Sequence, residues 1–250
     1  KQAAKTLTLE NIDALIVIGG DGSFNGLLAL KKYWSGQVIG IPGTIDNDID
    51  GTDFTIGFST AVNTGIEAID KIRDTAEAFE RIFIVELMGR NSGHITFNVG
   101  IACAAEQILS FENFSQDDEQ EKLNHLAMEI KQAQLERHAS YIIVIAENLW
   151  KGGATELAKQ LRQSANIDCT ACILGYIQRG GSPVAKDRIL ATKMGVAAVQ
   201  KLIEGNDEVM IAERNNQLLT VPLNIAVQHK EKVSENLISA QENILALTAQ

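Results

Sequence analysis

The sequence predicts an α/β fold: doubly wound, with mainly parallel sheets. Three observations predict it. Apolar runs are continuous rather than alternating, as in strands covered on both faces. Amphipathic stripes at helical spacing separate those runs. Glycine-rich loops follow several runs directly, where ligands bind in such folds.

The strands are expected at Asp13–Ile18, Val38–Ile41, Ile82–Val85, Tyr141–Ala146 and Cys169–Leu174. The first ends in Gly19-Gly20 and the second in Pro42-Gly43. Helices are expected over Thr60–Ala78, with Val62, Ile66, Ile69 and Ile72 on one face, and over Glu119–Leu135, with Leu123, Leu126 and Ile130. Lys186–Ile203 carries Leu190, Met194, Ala198 and Leu202 at the same spacing. Those stripes are packing faces. Val209–Ala212 and Leu218–Val221 read as two short strands around an Asn215-Asn216 turn. Val233–Leu247 reads as a terminal helix.

The 250 residues suffice for one large or two small domains. Apolar residues make up 45% and charged residues 22%, which excludes a disordered chain. The formal net charge of −10 and pI near 4.9 give no general attraction for nucleic acid or an anionic membrane. No apolar run approaches the ~20 residues a membrane helix needs. Three cysteines exclude a disulfide framework and suit a reducing cytoplasm. The chain opens at Lys1 with a polar helical run and no strand before it, which suggests a segment missing at the N-terminus.

Four loops carry chemistry. In Gly19-Gly20-Asp21-Gly22-Ser23, three glycines clear the backbone for a bulky ligand, and the helix that follows offers N–H groups to phosphate. Asp21 suits a phosphate site only with a divalent cation between them, and Mg²⁺ held by one or two carboxylates plus phosphate oxygens resolves the conflict. The structural alternative is a glycine-rich turn capped by Asp. Pro42-Gly43-Thr44-Ile45-Asp46-Asn47-Asp48 places two carboxylates and a hydroxyl within five positions. One carboxylate can take a proton from a hydroxyl while the other orients it or holds a metal. Met88-Gly89-Arg90 supplies a forked cation beside a glycine. Gln178-Arg179-Gly180-Gly181-Ser182-Pro183 supplies another. All four follow strands, so they are expected to converge on one cleft for Mg-dependent phosphoryl transfer.

Those four motifs, in this order from about Ile12 to Gly195, resemble the ATP-dependent 6-phosphofructokinase family. Gly-Gly-Asp-Gly alone is a weak signal, because NAD and diacylglycerol kinases carry something similar; the ordered set is far more specific. The resemblance implies two doubly wound domains: 1–57 with 178–225 for nucleotide, and 58–177 with 226–250 for sugar phosphate. It implies Asp21 as Mg²⁺ ligand, with Gly19, Gly20, Gly22 and Ser23 along the ATP phosphates. Asp46 is then the general base toward the C1 hydroxyl of fructose 6-phosphate, flanked by Thr44 and Asp48, and Arg90 stabilises the transferring phosphoryl group. Met88, Gly89 and Glu147 touch the sugar, Tyr176 and Arg179 its phosphate, and Arg81 the phosphate in a neighbouring subunit of a homotetramer. Gly22 and Gly43 stand where pyrophosphate-dependent relatives carry Asp and Lys, which favours ATP. About eighty further residues are implied before Lys1, with another glycine-rich loop of the ATP pocket.

The chain departs from the family pattern in three ways. Tyr176 replaces His, and Thr170 replaces an Arg. Arg73 and Glu106 match a regulatory phosphate site, but Glu136, Arg137 and His138 replace its lysines. The first two departures keep open a non-catalytic, regulatory subunit, against which Asp21, Asp46 and Arg90 all stand. Of the remaining candidates, Cys169 and Cys172 read as buried strand cysteines, with only Cys103 elsewhere. His125, His138 and His229 read as solvated, and His94 as structural or near the site.

Overall fold

The computed structural model describes residues 1–114, 119–136, 140–228 and 230–248. His138, His229 and Arg137 lie outside them. The chain divides into two compact units: residues 1–59 with 183–231, and residues 60–182 with 232–250.

The first unit contains helix α1 (Gln2–Leu9), strand β1 (Ala14–Gly19), helix α2 (Asp21–Lys31), strand β2 (Gln37–Thr44) and the short strand β3 (Ile56–Gly57). The sheet order is β1-β2-β8-β9, with β3 beside the end of β2, where β8 is Val209–Arg214 and β9 is Gln217–Pro222. β1, β3 and β8 run parallel to β2, and β9 returns antiparallel to β8. Asn215 and Asn216 turn that hairpin with φ of 52° and 65°. Two successive positive φ values make the twist that joins neighbouring strands, and Asn tolerates them.

Period-two alternation along β2 and β8 winds this sheet on both sides. Val38, Met210 and Ala212 pack with Ala4, Phe24, Leu27 and Leu223, from α1, α2 and the one-turn helix α8 (Leu223–Ala226). Their neighbours Ile39, Ile41 and Ile211 face the other way, onto Leu190, Met194 and Ala198 of helix α7 (Ala185–Ile203). Each fully buried Leu or Ile stabilises the unit by roughly 1.5–3 kcal/mol against exposure.

The second unit holds a parallel sheet of order β5-β6-β4-β7: Gln107–Leu109, Tyr141–Ala146, Ile82–Leu87 and Cys169–Ile173. Ile82, Ile84, Ile143 and Ile145 pack with Leu123, Leu126 and Ile130 of α5 (Glu119–Leu135) and Leu157 and Leu161 of α6 (Gly153–Ala165). Ile108 of β5 packs with Phe97 of α4 (His94–Ala102) and with Val233, ahead of the last helix, α9 (Glu235–Thr248). The long helix α3 runs Phe58–Phe79.

Two expectations need correction. The apolar runs are not all covered on both faces. β2, β4 and β6 are central and buried; among the described residues β1 pairs only with β2 and β7 only with β4, and Ile18 is 66% and Ile173 57% exposed. β7 keeps the apolar composition of a covered strand, so composition alone misjudged it. Consequently Cys169 and Cys172 are half-buried rather than buried. Their thiols are still poor nucleophiles, because desolvation pushes Cys169 up to about 12 and raises Cys172 as well. β3 and β5, at two and three residues, were too short to signal themselves.

Candidate functional site

In the first unit two loops sit side by side. β1 and β2 are parallel, with Gly19 opposite Pro42, so both motifs leave the same end of the sheet. A Cβ on Gly20 would stand 3.6 Å from the Thr44 side chain. Gly20 caps α2, and the N–H groups of Ser23 and Phe24 already bond its carbonyl. The Asp21 carboxylate accepts from the Gly22 N–H at 2.8 Å. Gly19 has no room for a side chain: its Cβ would fall 2.3 Å from Ser23 Oγ. Gly22 differs, since a Cβ there meets nothing within 4 Å. The first glycine serves the turn, while the third leaves open space beside Asp21.

Gly43, expected to discriminate the phosphoryl donor, also has a packing reason. A Cβ there would approach Ile18 Cγ2 to 2.7 Å. The loop beyond it is held by its own polar side chains. Thr44 Oγ1 accepts from the Asp46 N–H at 3.2 Å. Asn47, at φ 50°, accepts from the Thr55 N–H at 2.7 Å and donates to the Asp53 carbonyl at 3.1 Å. Thr55 Oγ1 donates to the Thr44 carbonyl at 2.6 Å. The β8–β9 hairpin adds ties: the Asn215 N–H reaches Asp53 Oδ2 at 2.7 Å, and Thr52 bonds the Glu213 backbone. Asp46 is half-buried at the centre of this lattice. Asp48 is nearly enclosed, and its carboxylate pairs with Lys230.

The same test applies to Mg²⁺. Among the described residues no three His, Cys, Asp or Glu side chains gather into a cage. Asp21, at a helix N-terminus beside the open space at Gly22, fits a cation that takes one or two carboxylates and completes its shell with phosphate and water.

In the second unit, Met88, Gly89 and Arg90 follow β4. Gly89 has φ 147°, and a Cβ there would meet the Ser92 carbonyl at 2.7 Å. Arg90 itself is left-handed at φ 58°, a conformation costing roughly 1–3 kcal/mol that surrounding contacts must impose. Glu147, directly after β6, imposes it. Its Oε1 accepts from the Gly89 N–H at 3.1 Å and from the Arg90 N–H at 2.7 Å. Asn148 donates to the Arg90 carbonyl at 3.0 Å. Buried Gln178 accepts from the Met88 N–H at 2.8 Å. Tyr176 is 79% exposed, and the Arg179 guanidinium lies 5.3 Å from its ring centroid. Arg90 projects from the surface of this loop.

Met88, Gly89, Arg90, Glu147 and Gln178 therefore come together, whereas Arg81 does not join them. Arg81 precedes β4 and packs on Phe79, at the opposite end of a six-residue strand, about 20 Å away. Thr170 pairs with Phe83 and lies toward that same far end. Sequence reasoning missed the roles of Asn47, Thr55, Asn148 and Lys230. Asn47 lay within a quoted motif; Lys230 is 182 positions from Asp48 and sent no local signal. His94 is 7% exposed and opens α4, a structural placement, and His125 pairs with Glu129 on an exposed helix face.

The profile of the Phosphofructokinase family matches residues 1–202. The chain belongs to the phosphofructokinase family. It is 42% identical over 246 residues to ATP-dependent 6-phosphofructokinase 1 of Thermus thermophilus, covering 98% of this chain and 74% of that protein. It is 47% identical over 222 residues to the ATP-dependent 6-phosphofructokinase of Coxiella burnetii, covering 89% of this chain and 66% of that one. Among solved structures, phosphofructokinase from Saccharomyces cerevisiae matches 97% of this chain at 31% identity and a TM-score of 0.78. The Pichia pastoris phosphofructokinase in the T-state matches 99% at 30% and 0.81. This phosphofructokinase chain spans about three quarters of the Thermus relative, two thirds of the Coxiella one and a third of the yeast chains.

Proposed function

We propose that this chain supplies the catalytic machinery of an ATP-dependent 6-phosphofructokinase, acting in glycolysis in the cytoplasm. The reaction transfers the γ-phosphoryl group of ATP to the C1 hydroxyl of fructose 6-phosphate, giving fructose 1,6-bisphosphate and ADP. The observation that carries this reading is the fixed loop around Asp46. Thr44, Asn47 and Thr55 hold the backbone of a half-buried carboxylate beside the glycine loop of Asp21.

Asp46 takes the C1 hydroxyl proton as the sugar oxygen attacks the γ-phosphorus. Gly20, Gly22 and Ser23 line the nucleotide phosphates, with Gly19 making the turn. Asp21 would hold Mg²⁺, which would neutralise charge on the phosphates. Thr44 and Asp48 flank the base. On the second unit, Arg90 offers its guanidinium to the transferring group from a backbone fixed by Glu147. Met88 and Gly89 border the sugar. Arg179, supported on the Tyr176 ring, binds the 6-phosphate. A match along residues 1–202 favours this over a NAD or lipid kinase that would share only the glycine loop. The position of Arg81, at the far end of β4, favours a homo-oligomer, a tetramer by resemblance, in which it serves a neighbouring subunit's phosphate.

Replacing Asp46 by Asn in the full-length protein tests the reading. Removal of a general base lowers turnover by roughly 10²-fold or more. Steady-state assays with ATP and fructose 6-phosphate are expected to find that loss, with little change in KM. Unchanged turnover removes Asp46 from the role and revives the non-catalytic alternative.

A further inference from the structure

Asp48 and Lys230 lie 182 residues apart, yet three contacts join their segments. Lys230 Nζ pairs with Asp48 Oδ2. Ile49 and Lys230 form an antiparallel bridge. The Glu231 N–H donates to the Asp48 carbonyl at 3.3 Å. The two side chains are unequally exposed, 5% for Asp48 and 50% for Lys230. A carboxylate so enclosed needs polar partners, and Lys230 supplies one. Ile49 is 1% exposed and sits in the unit's core, so the bridge fastens this point to a packed layer.

We infer that Lys230 is a positioning residue for the catalytic loop: it engages the Asp48 carboxylate, and the pair acts on the reaction by fixing the pose of Asp46 rather than by touching sugar, nucleotide or metal. This inference rests on the assignment of Asp46 as base. Its physical content is a division of labour between the two acids of Asp-Asn-Asp. Asp46, half-buried, faces the chemistry. Asp48, two positions on, spends its charge on Lys230. Asn47 lies between them in the left-handed conformation, at φ 50°. The Thr44–Asn47–Thr55 network holds one end of the loop, and the Lys230 clamp holds the other.

A double-mutant cycle in the full-length protein tests it. Lys230→Met keeps the stem and removes the charge. Its kcat is expected to fall about 10- to 100-fold, as for a base displaced by a fraction of an ångström to an ångström. The KM values for ATP and fructose 6-phosphate should move less than about threefold. Lys230→Arg should restore most of the turnover. Asp48→Asn and the double variant Asp48→Asn/Lys230→Met should both fall to the level of Lys230→Met. Losses that multiply in the double variant would mean that Asp48 contacts a ligand on its own, and would overturn the inference. So would parental turnover in Lys230→Met.

If Lys230→Met does not fold, the double variant, which leaves no uncompensated buried charge, carries the comparison with Asp48→Asn. Amide hydrogen exchange across residues 44–55 gives a readout independent of turnover. It should quicken in Lys230→Met and Asp48→Asn and return in Lys230→Arg; unaltered exchange in the first two defeats the clamp. Asp46→Asn, run alongside, separates the outcomes: parental turnover there with quickened exchange in Lys230→Met keeps the clamp and refutes the base.

Discussion

Thr170 stands where the family carries an arginine, and its location decides what that change does. Its register partner is Phe83, one residue into β4, so it shares the amino end of the sheet with Arg81. Arg90 and Glu147 occupy the other end. A cation at position 170 would therefore stand with Arg81 and, in the proposed homo-oligomer, act on a neighbouring subunit's phosphate and not on this chain's own loop. A charge-assisted phosphate contact is worth about 1.5–3 kcal/mol. Thr170→Arg is expected to lower the KM for fructose 6-phosphate by about tenfold or more in the oligomer. Dilution below the oligomer's dissociation constant should abolish the gain. An equal gain in the monomer would place the phosphate at the wrong end of the sheet. Tyr176 is a different departure. It cannot become cationic, but its ring supports Arg179, so the structure offers a reason for an aromatic residue there.

Elements were legible in the sequence where burial was strong. β6 and α5 fall where the apolar pattern put them, at Tyr141–Ala146 and Glu119–Leu135. β7 was found but misjudged, because an apolar run does not say how many neighbours a strand has. Loops were legible as chemistry and illegible as architecture: Asp46 announced itself, while Asn47, Thr55 and Lys230 needed the fold. Asp207 illustrates a junction hidden in the same way. It precedes β8, accepts from the Val38 N–H at 2.8 Å at the start of β2, and from Lys31 Nζ at 2.6 Å at the end of α2. Burial pushes its carboxyl up, but Lys31 and the Val38 and Glu208 N–H groups outweigh that and hold it below the ordinary carboxylate range. A depressed folded-state value stabilises the protein above the unfolded value near 4, and the contribution is lost as pH falls through the folded value. Asp207→Ala should cost about 1 kcal/mol at neutral pH, discounted for solvent screening. Denaturant titrations are expected to find that difference shrinking as pH drops below about 4. A cost constant down to strong acid would exclude the charge as its source.

The chain divides into two units, each made of two separate stretches and each with one tryptophan at its core. Trp34 is 6% exposed among Phe24, Leu27 and Val38. Trp150 is 2% exposed, stacks on Phe114 at 5.4 Å and donates to Gln160 at 3.2 Å. They are natural reporters for the two halves of the proposed reaction. With Trp150→Phe, the Trp34 signal should report unfolding of the first unit, and MgATP at a hundred times its Kd should stabilise it by about 2.7 kcal/mol. With Trp34→Phe, fructose 6-phosphate should do the same for Trp150. A nucleotide that protected only the Trp150 unit would reverse the assignment of donor and acceptor sides.

The polar lattice around Asp46 also bears on how freely this loop can vary. Asn47, Thr52 and Thr55 are 4%, 1% and 0% exposed, and each satisfies backbone groups that no apolar replacement of similar size could. Their side chains are fixed by the scaffold's grammar, not by the substrate. A lineage that abandoned the reaction but kept the fold would drift at Asp46 long before it drifted at Thr55. Retention of the three scaffold residues is thus uninformative about whether a distant descendant still works as an enzyme, and the one half-buried acid among them carries that information.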